Sequence, residues 1–198
     1  APTTTNTAYG VGSLDVLTSG VGNVAIGAET LDTNTTGDNN TAIGYRAGDT
    51  NNTGQNNTFI GYDSYAPASS TTNSINLGNL SITALRCNVK TITSLSDRRD
   101  KTNILPSDIG IDFINQLKPV EFDWDRRDGT MAEAGRQLGF IAQDFDEVSK
   151  DVPSIRNIGL ILDENPDKLE IGQAALIPDL VKAIQDLSRE IEILKEKR

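Results

Sequence analysis

A serine and a lysine five residues apart are the residues whose types and spacing could do chemistry in this chain. Ser96 and Lys101 lie in the charged stretch SDRRDKTNI, residues 96–104. A serine hydroxyl is a weak nucleophile until a base takes its proton, and a neutral lysine amine can be that base. The chain contains no histidine, which excludes Ser-His and Cys-His catalytic pairs and most zinc sites.

The charges around Lys101 act in opposite directions. Arg98 and Arg99 favour a neutral amine on Lys101, whereas Asp97 and Asp100 favour the charged ammonium. Spacing alone therefore leaves two alternatives, a catalytic pair or a solvated charged turn, and a solvated turn is the more common meaning of such a pattern.

Composition excludes several other classes of function. The net charge of −10 leaves no basic excess to neutralise phosphates, so nucleic acid is not expected as a partner. No apolar run approaches the length of a membrane span, which predicts no membrane insertion. No glycine-rich phosphate loop is present, so we expect neither a cofactor nor a metal. Cys87 is the only cysteine and is expected to be a small buried hydrophobic residue.

The residues before Ser96 repeat with a period of 17. Glycines at one position of the repeat follow small apolar pairs such as Ala25-Ile26 and Ala42-Ile43, and an asparagine stands four residues before most of them. The glycines in register are Gly10, Gly27, Gly44, Gly61 and Gly78, with a second series at Gly20, Gly37 and Gly54. Each copy predicts one short strand followed by turns, with Val24 and Ile26 on one face and Ala25 on the other.

A single copy cannot bury its own apolar face, so the copies are expected to stack into a β-solenoid. One or two apolar side chains per turn make a thin core, which predicts that the isoleucine row is buried against other copies of the chain. A disordered Gly/Asn/Thr linker fits the composition but does not explain an apolar residue held beside glycine at a fixed period.

After the repeat, the pattern predicts strands in 81–95, where Ile82, Leu85, Val89 and Ile92 alternate. The residues beyond Ser96 predict a small α+β domain. Its expected elements are a helix over 106–118 capped by Ser107, a strand over 120–124, a loop over 126–135, a strand over 138–141 and a helix over 143–148.

The tail, about 176–197, predicts a coiled-coil helix. Its apolar residues follow 3–4 spacing and are Ile177, Leu180, Ile184, Leu187, Ile191 and Leu194. Ile at a with Leu at d favours two strands, but three heptads are too few to decide, and the repeats are expected to set the oligomer. The alternative is that this seam packs on its own domain; the narrow a/d stripe favours self-association.

Two resemblances follow from these motifs. The units N-V-A-I-G and N-T-A-I-G resemble the head repeat of trimeric autotransporter adhesins, which implies a trimeric β-roll. The stretches SDRRDKTNI, LKPVEFDW, LGFIAQDFDEV and LIPDLVKAIQDL, in that order, resemble the peptidase S74 family of intramolecular chaperones of phage tail spikes and fibres. That family trimerises its chain, guides folding of the preceding stem and then cuts itself off before the serine of the motif.

The second resemblance implies the roles of the charged stretch. Ser96 is the implied nucleophile, Lys101 the base, and the bond from Leu95 to Ser96 the cleavage site. Asn103 is a candidate oxyanion donor. The implied fold is mixed, with a β-roll repeat segment at 1–80, a β linker at 81–95 and a chaperone domain at 96–198.

The implied function is that of the C-terminal part of a phage tail fibre or spike, active as a single-turnover self-cleaving endopeptidase. Its expected partners are two further copies of itself, the fibre upstream and, through upstream parts, a host cell surface. The expected location is the virion, with the chaperone domain released in the host cytoplasm. An initial Ala rather than Met predicts a piece of a longer chain. A non-cleaving trimerisation domain and a receptor-binding fibre tip remain alternatives.

Overall fold

The computed structural model describes residues 5–82, 84–86, 88, 93–125, 135–150, 152, 160–163, 165, 167 and 169–197. The chain forms two compact units, one built on Ala1–Leu85 and the other on Arg86–Asp123 and Gly135–Arg198. The finer division predicted from the sequence, with boundaries after residues 80 and 95, stays a prediction.

The first unit is a parallel β-solenoid. Its five strands, each three residues long, pair in chain order and are β1 Thr7–Tyr9, β2 Val24–Ile26, β3 Thr41–Ile43, β4 Thr58–Ile60 and β5 Ile75–Leu77. Equivalent residues of the repeat are neighbours in the sheet, so that Ala25 pairs with Ala42 and Ala42 with Phe59. The predicted solenoid with its 17-residue period is confirmed, over about four turns.

The middle residue of each of the three central strands, β2, β3 and β4, points into the core. Ala25, Ala42 and Phe59 are fully buried, whereas Ile26, Ile43 and Ile60 are 39%, 41% and 44% exposed. The predicted alternation of the two faces is therefore confirmed. The interior is thin, because its buried apolar side chains are few and mostly small: Leu14, Ala25, Leu31, Ala42, Ala47, Phe59 and Ala66.

Phe59 is accommodated because a glycine replaces a leucine beside it. Leu14 and Leu31 occupy one position of the repeat, and Gly48 takes that position in the next copy. A Cβ on Gly48 would lie 2.8 Å from both Phe59 Cδ2 and Leu31 Cδ2, which is too close for carbon atoms. The change from Ala42 to Phe59 is thus matched by a loss of side-chain volume at Gly48.

The two glycine series of the repeat share one cause, and the first series has a second. A Cβ on Gly27 would lie 2.5 Å from the carbonyl oxygen of Gly44 in the next turn, and Gly27 also has a φ of 136°, a conformation that favours glycine. Gly37 has no such φ; a Cβ there would overlap the carbonyl oxygen of Gly54 in the next turn. The second series is therefore required by the close approach of successive turns.

A buried row of asparagines closes each turn of the solenoid. The Asn40 Nδ2 donates to the carbonyl of Gly54 at 2.8 Å, and its Oδ1 accepts from the backbone N–H of Asn57 at 3.0 Å. Asn23 and Asn57 make the equivalent pairs with their own neighbours. Each side chain thus satisfies one carbonyl and one amide that the core would otherwise leave unpaired.

The second unit is a small α+β domain, as predicted. Its helices are α1 Ile111–Ile114, α2 Ala142–Ser149 and α3 Ile177–Glu196, and its strands form two antiparallel pairs, β6 Val120–Phe122 with β7 Gln137–Gly139 and β8 Ile161–Leu162 with β9 Glu170–Ile171. Short 3-10 turns occupy Arg98–Asp100 and Gln173–Leu176. The core consists of Ile109, Phe113, Phe145, Leu160 and Leu176.

The prediction of a helix over 106–118 is wrong in its extent. The helix α1 begins only at Ile111, after Gly110 at the N-cap position. Ser107 is not the cap, since its hydroxyl accepts from the backbone N–H of Ile109. Gly110 also lies against helix α3, because a Cβ there would be 2.7 Å from Asp186 Oδ2.

The other boundaries differ by a few residues. Trp124 lies beyond the end of β6, and β7 begins one residue earlier than predicted and ends two residues earlier. The helix predicted over 143–148 is confirmed as α2. The described residues of 81–95 include no strand, so the predicted linker strands are not found there. Cys87, Val89, Ile92 and the loop residues 126–134 lie outside the described residues.

The tail helix α3 is confirmed, with Pro178 in its first turn. One face of α3 packs on the rest of the second unit, since Asp179 and Ala183 are each 3% exposed. The a/d seam lies on another face, and its six side chains are between 42% and 64% exposed. The alternative that the seam packs on its own domain is therefore wrong. No helix within the described ranges is long and apolar enough to cross a membrane.

Candidate active site

A single turn of 3-10 helix brings Ser96 and Lys101 together. The chain is extended at Asp97, with φ −68° and ψ 135°, turns over Arg98–Asp100 and is extended again at Lys101, with φ −121° and ψ 138°. Backbone bonds from Asp100 N to Asp97 O and from Lys101 N to Arg98 O, both 3.2 Å, close the turn. Residues on either side of the turn are thus brought back toward one another.

The two side chains of the predicted dyad are in hydrogen-bond contact. Lys101 Nζ lies 2.6 Å from Ser96 Oγ. A charged lysine donates in this contact, and a neutral lysine accepts the hydroxyl proton, which is the direction that base catalysis needs. The distance therefore allows proton transfer between the two groups without any rearrangement of the turn.

The peptide bond before Ser96 is open to solvent. Leu95 is 98% exposed, and both Ser96 and Lys101 are exposed in the single chain. A lysine amine stays neutral most easily where apolar surroundings disfavour its charge. The pair thus has the geometry of a nucleophile and its base, and the described residues of the single chain provide no apolar cover for it.

Asp97 is held by Arg99 rather than by Lys101. The Asp97 Oδ1 accepts from the backbone N–H of Arg99 at 2.9 Å, and Arg99 Nη2 donates to Asp97 Oδ2 at 2.6 Å. These hydrogen bonds from Arg99 lower the pKa of the Asp97 carboxyl and raise the pKa of the Arg99 guanidinium. Within the described residues, no carboxylate forms an ion pair with Lys101.

The comparison with protein families matches this part of the chain. Residues 96–154 match the peptidase S74 family, described as chaperone of endosialidase. The S74 match begins at Ser96, the first residue of the candidate site, and ends well before the tail helix. No curated protein and no solved structure matches the chain.

The S74 segment continues from the turn into residues that are fixed to the tail helix. Ser107 Oγ donates to Asp179 Oδ1 at 3.4 Å, and Ile109 is buried in the core. Sequence reasoning missed this contact, since Ser107 was assigned to a helix cap and no role was predicted for Asp179. The available signal in the sequence was the position of Asp179, an acid directly before the apolar seam residue Leu180.

The remaining predicted features of the site have no test in the geometry. Asn103 has a φ of 51°, and its role as an oxyanion donor stays a prediction. The described residues contain no group of ligands that could hold a metal ion.

Proposed function

We propose that this chain is the C-terminal part of a phage tail fibre or spike whose S74 domain drives homotrimer assembly and then releases itself by cutting between Leu95 and Ser96. The observation that carries the proposal is the 2.6 Å contact between Lys101 Nζ and Ser96 Oγ at the first residue of the family match. A solvated turn would not require these two groups to meet there.

The proposed reaction is intramolecular. Lys101 accepts the Ser96 hydroxyl proton while Ser96 Oγ attacks the Leu95 carbonyl carbon. The bond from that carbon to the Ser96 nitrogen breaks, and the nitrogen takes the proton and becomes a free amine. Water then hydrolyses the ester, leaving a carboxylate on Leu95 and the hydroxyl on Ser96. Attack on an adjacent bond uses enforced proximity in place of substrate binding, and each chain reacts once.

Two exposed apolar surfaces support the homotrimer. The first is the isoleucine column, which we define as Tyr9, Ile26, Ile43, Ile60 and Leu77; its side chains are 39–77% exposed. The second is the a/d seam of α3. Contiguous apolar surface of this kind is unusual on a monomer and is typical of an interface. Trimer formation also offers the apolar cover that the dyad lacks in the single chain.

The partners and location follow from the same proposal. Before cleavage the S74 domain is joined to the solenoid and to any fibre upstream of it, and contact with a host cell surface belongs to those upstream parts. After cleavage the solenoid remains in the virion and the released domain stays in the host cytoplasm.

The exposure of the dyad favours one competing function, a trimerisation domain that never cuts. Expression of the wild-type chain with Ser96→Ala and Lys101→Ala variants separates the two, read by denaturing gels and intact mass. We expect wild type to split between Leu95 and Ser96 and both variants to stay whole. Ser94→Ala and Lys118→Ala, which change exposed residues of the same types, should split as wild type does.

A wild-type chain that stays whole after native assembly would contradict the catalytic proposal and leave the non-cleaving domain. Cleavage at another bond, or cleavage that survives in Ser96→Ala, would contradict the assignment of the nucleophile.

A further inference from the structure

The turn between Ser96 and Lys101 contains two acids and two arginines, and only one acid and one arginine are paired. The Asp97 carboxylate accepts from the Arg99 backbone N–H and from Arg99 Nε, at 2.9 and 3.0 Å on Oδ1, and from Nη2 at 2.6 Å on Oδ2. Within the described part of the chain, Arg98 and Asp100 form no side-chain ion pair.

The first consequence of this pairing is geometric. Asp97 is the N-cap residue of the 3-10 turn, and a side chain that accepts from an early backbone N–H stabilises the turn that follows. The guanidinium of Arg99 binds both oxygens of the same carboxylate, which fixes its orientation. The turn that is held in this way is the one that separates Ser96 from Lys101.

The second consequence is electrostatic. A free carboxylate near Lys101 would favour the charged ammonium and oppose its use as a base. In this turn Asp97 adjoins Ser96 and Asp100 adjoins Lys101. Arg99 neutralises the Asp97 carboxylate, and the partner of the Lys101 amine is the Ser96 hydroxyl.

From these contacts we infer that Asp97 and Arg99 are positioning residues, which hold the turn that joins the dyad and keep the Asp97 carboxylate away from Lys101. This inference rests on the proposed cleavage. It assigns separate roles to residues that the sequence analysis treated only as opposing charges.

The test compares cleavage rates of four single variants in the full chain. Asp97→Ala removes the cap and is expected to slow cleavage roughly tenfold, the effect of losing one N-cap. Arg99→Ala removes the guanidinium that fixes the carboxylate but keeps the backbone N–H of the cap, so it is expected to slow cleavage by a smaller factor. Arg98→Ala and Asp100→Ala change a charge in the same turn without removing a described side-chain contact, so they are the controls for the hold of the turn. Their maximal cleavage rates, at a pH where Lys101 acts fully as the base, are expected to stay within about twofold of wild type.

The dependence of cleavage on pH separates positioning from general loss of structure. Arg99→Ala leaves the Asp97 carboxylate unpaired, so the pH of half-maximal cleavage should rise. The double variant Asp97→Asn/Arg99→Ala removes that charge and keeps a capping side chain, since Asn caps as well as Asp. Its pH profile should return toward that of wild type.

The outcomes distinguish this inference from the proposed function. If wild type cleaves and Asp97→Ala and Arg99→Ala match their controls in rate and pH profile, the inference is overturned and the cleavage stands. If wild type does not cleave, the proposed function fails, and NMR titration of the Asp97 carboxyl in the Ser96→Ala chain decides whether the pairing exists. A pKa in the ordinary range for that carboxyl, unchanged by Arg99→Ala, would overturn it.

Discussion

Asp179 is a carboxylate that the fold removes almost completely from water. It is 3% exposed, its Oδ1 accepts from Ser107 Oγ, and its Oδ2 has no hydrogen-bond partner among the residues that the structure describes. Burial raises the pKa of this carboxyl, the nearby Asp108 raises it further, and the Ser107 hydroxyl lowers it. Burial therefore disfavours the charged form of the carboxyl that joins the segment after the dyad to helix α3.

The raised pKa gives a pH dependence of stability. Between the ordinary pKa of an aspartate, about 4, and the raised pKa, the folded state binds more protons than the unfolded state. The contribution of Asp179 to the free energy of unfolding therefore falls as pH rises through this range. We expect Asp179→Asn to remove this decrease in the free energy of unfolding with pH and to stabilise the second unit by about 1 kcal/mol at pH 7. Urea unfolding at several pH values from 4 to 8 measures both effects.

The matched control is Asp112→Asn, which changes an exposed acid in the first turn of α1. That variant should keep the wild-type pH dependence. An Asp179→Asn chain that is less stable than wild type at pH 7 would contradict the assignment, because it would mean that the carboxylate is stabilising in its charged form.

At the scale of elements, a turn of the solenoid owes its stability less to strand length than to the asparagine that closes it. Each strand is only three residues long. Asn40 is fully buried; its side chain donates to the carbonyl of Gly54 and accepts from the backbone N–H of Asn57. Loss of its side chain would leave one carbonyl and one amide buried without partners.

We expect Asn40→Ala to lower the free energy of unfolding of the solenoid by roughly 2–5 kcal/mol, since each unpaired buried group costs about 1–3 kcal/mol. Thr36→Ala changes an exposed residue of the same turn and should stay within about 0.5 kcal/mol of wild type. Urea unfolding followed by circular dichroism measures both. Equal stability of the two variants would show that the asparagine row is dispensable.

At the scale of the whole molecule, the isoleucine column makes association testable apart from cleavage. Light scattering of the Ser96→Ala chain is expected to give the mass of a trimer. The double variant Ile43→Ser/Ile60→Ser removes two apolar side chains, and burial of each would stabilise the trimer by about 1.5–3 kcal/mol. We therefore expect its measured mass to shift toward that of a monomer at micromolar concentration.

The control for this prediction is Val16→Ser, which removes an exposed apolar side chain from a repeat position otherwise held by Thr33 and Thr50. That variant should stay trimeric. A wild-type chain that remains monomeric at high concentration would contradict the trimeric β-roll and the coiled coil together.

The repeat and the dyad could be predicted because their signals are local or recur along the chain. Five copies in register specify which residues pair in the sheet, so Ala25, Ala42 and Phe59 could be assigned to one face. Ser96 and Lys101 are five residues apart, and one turn is enough to join them.

The features that the sequence did not reveal depend on distant contacts or on very short elements. Ser107 and Asp179 are 72 residues apart, and no periodic pattern links them. Strands β8 and β9 have two residues each, too few for alternation to be visible. The start of α1 at Ile111 depends on Gly110 packing against Asp186, which a residue-by-residue propensity does not contain.

The pairing of Gly48 with Phe59 limits how this solenoid can change in length. These two residues belong to successive copies of the repeat, and Phe59 fits only because Gly48 carries no side chain. Insertion or loss of a whole 17-residue copy upstream of Leu31 would leave the pair intact. A copy inserted between Gly48 and Phe59 would set the ring against a leucine, so length variation by recombination is tolerated on the N-terminal side of this pair.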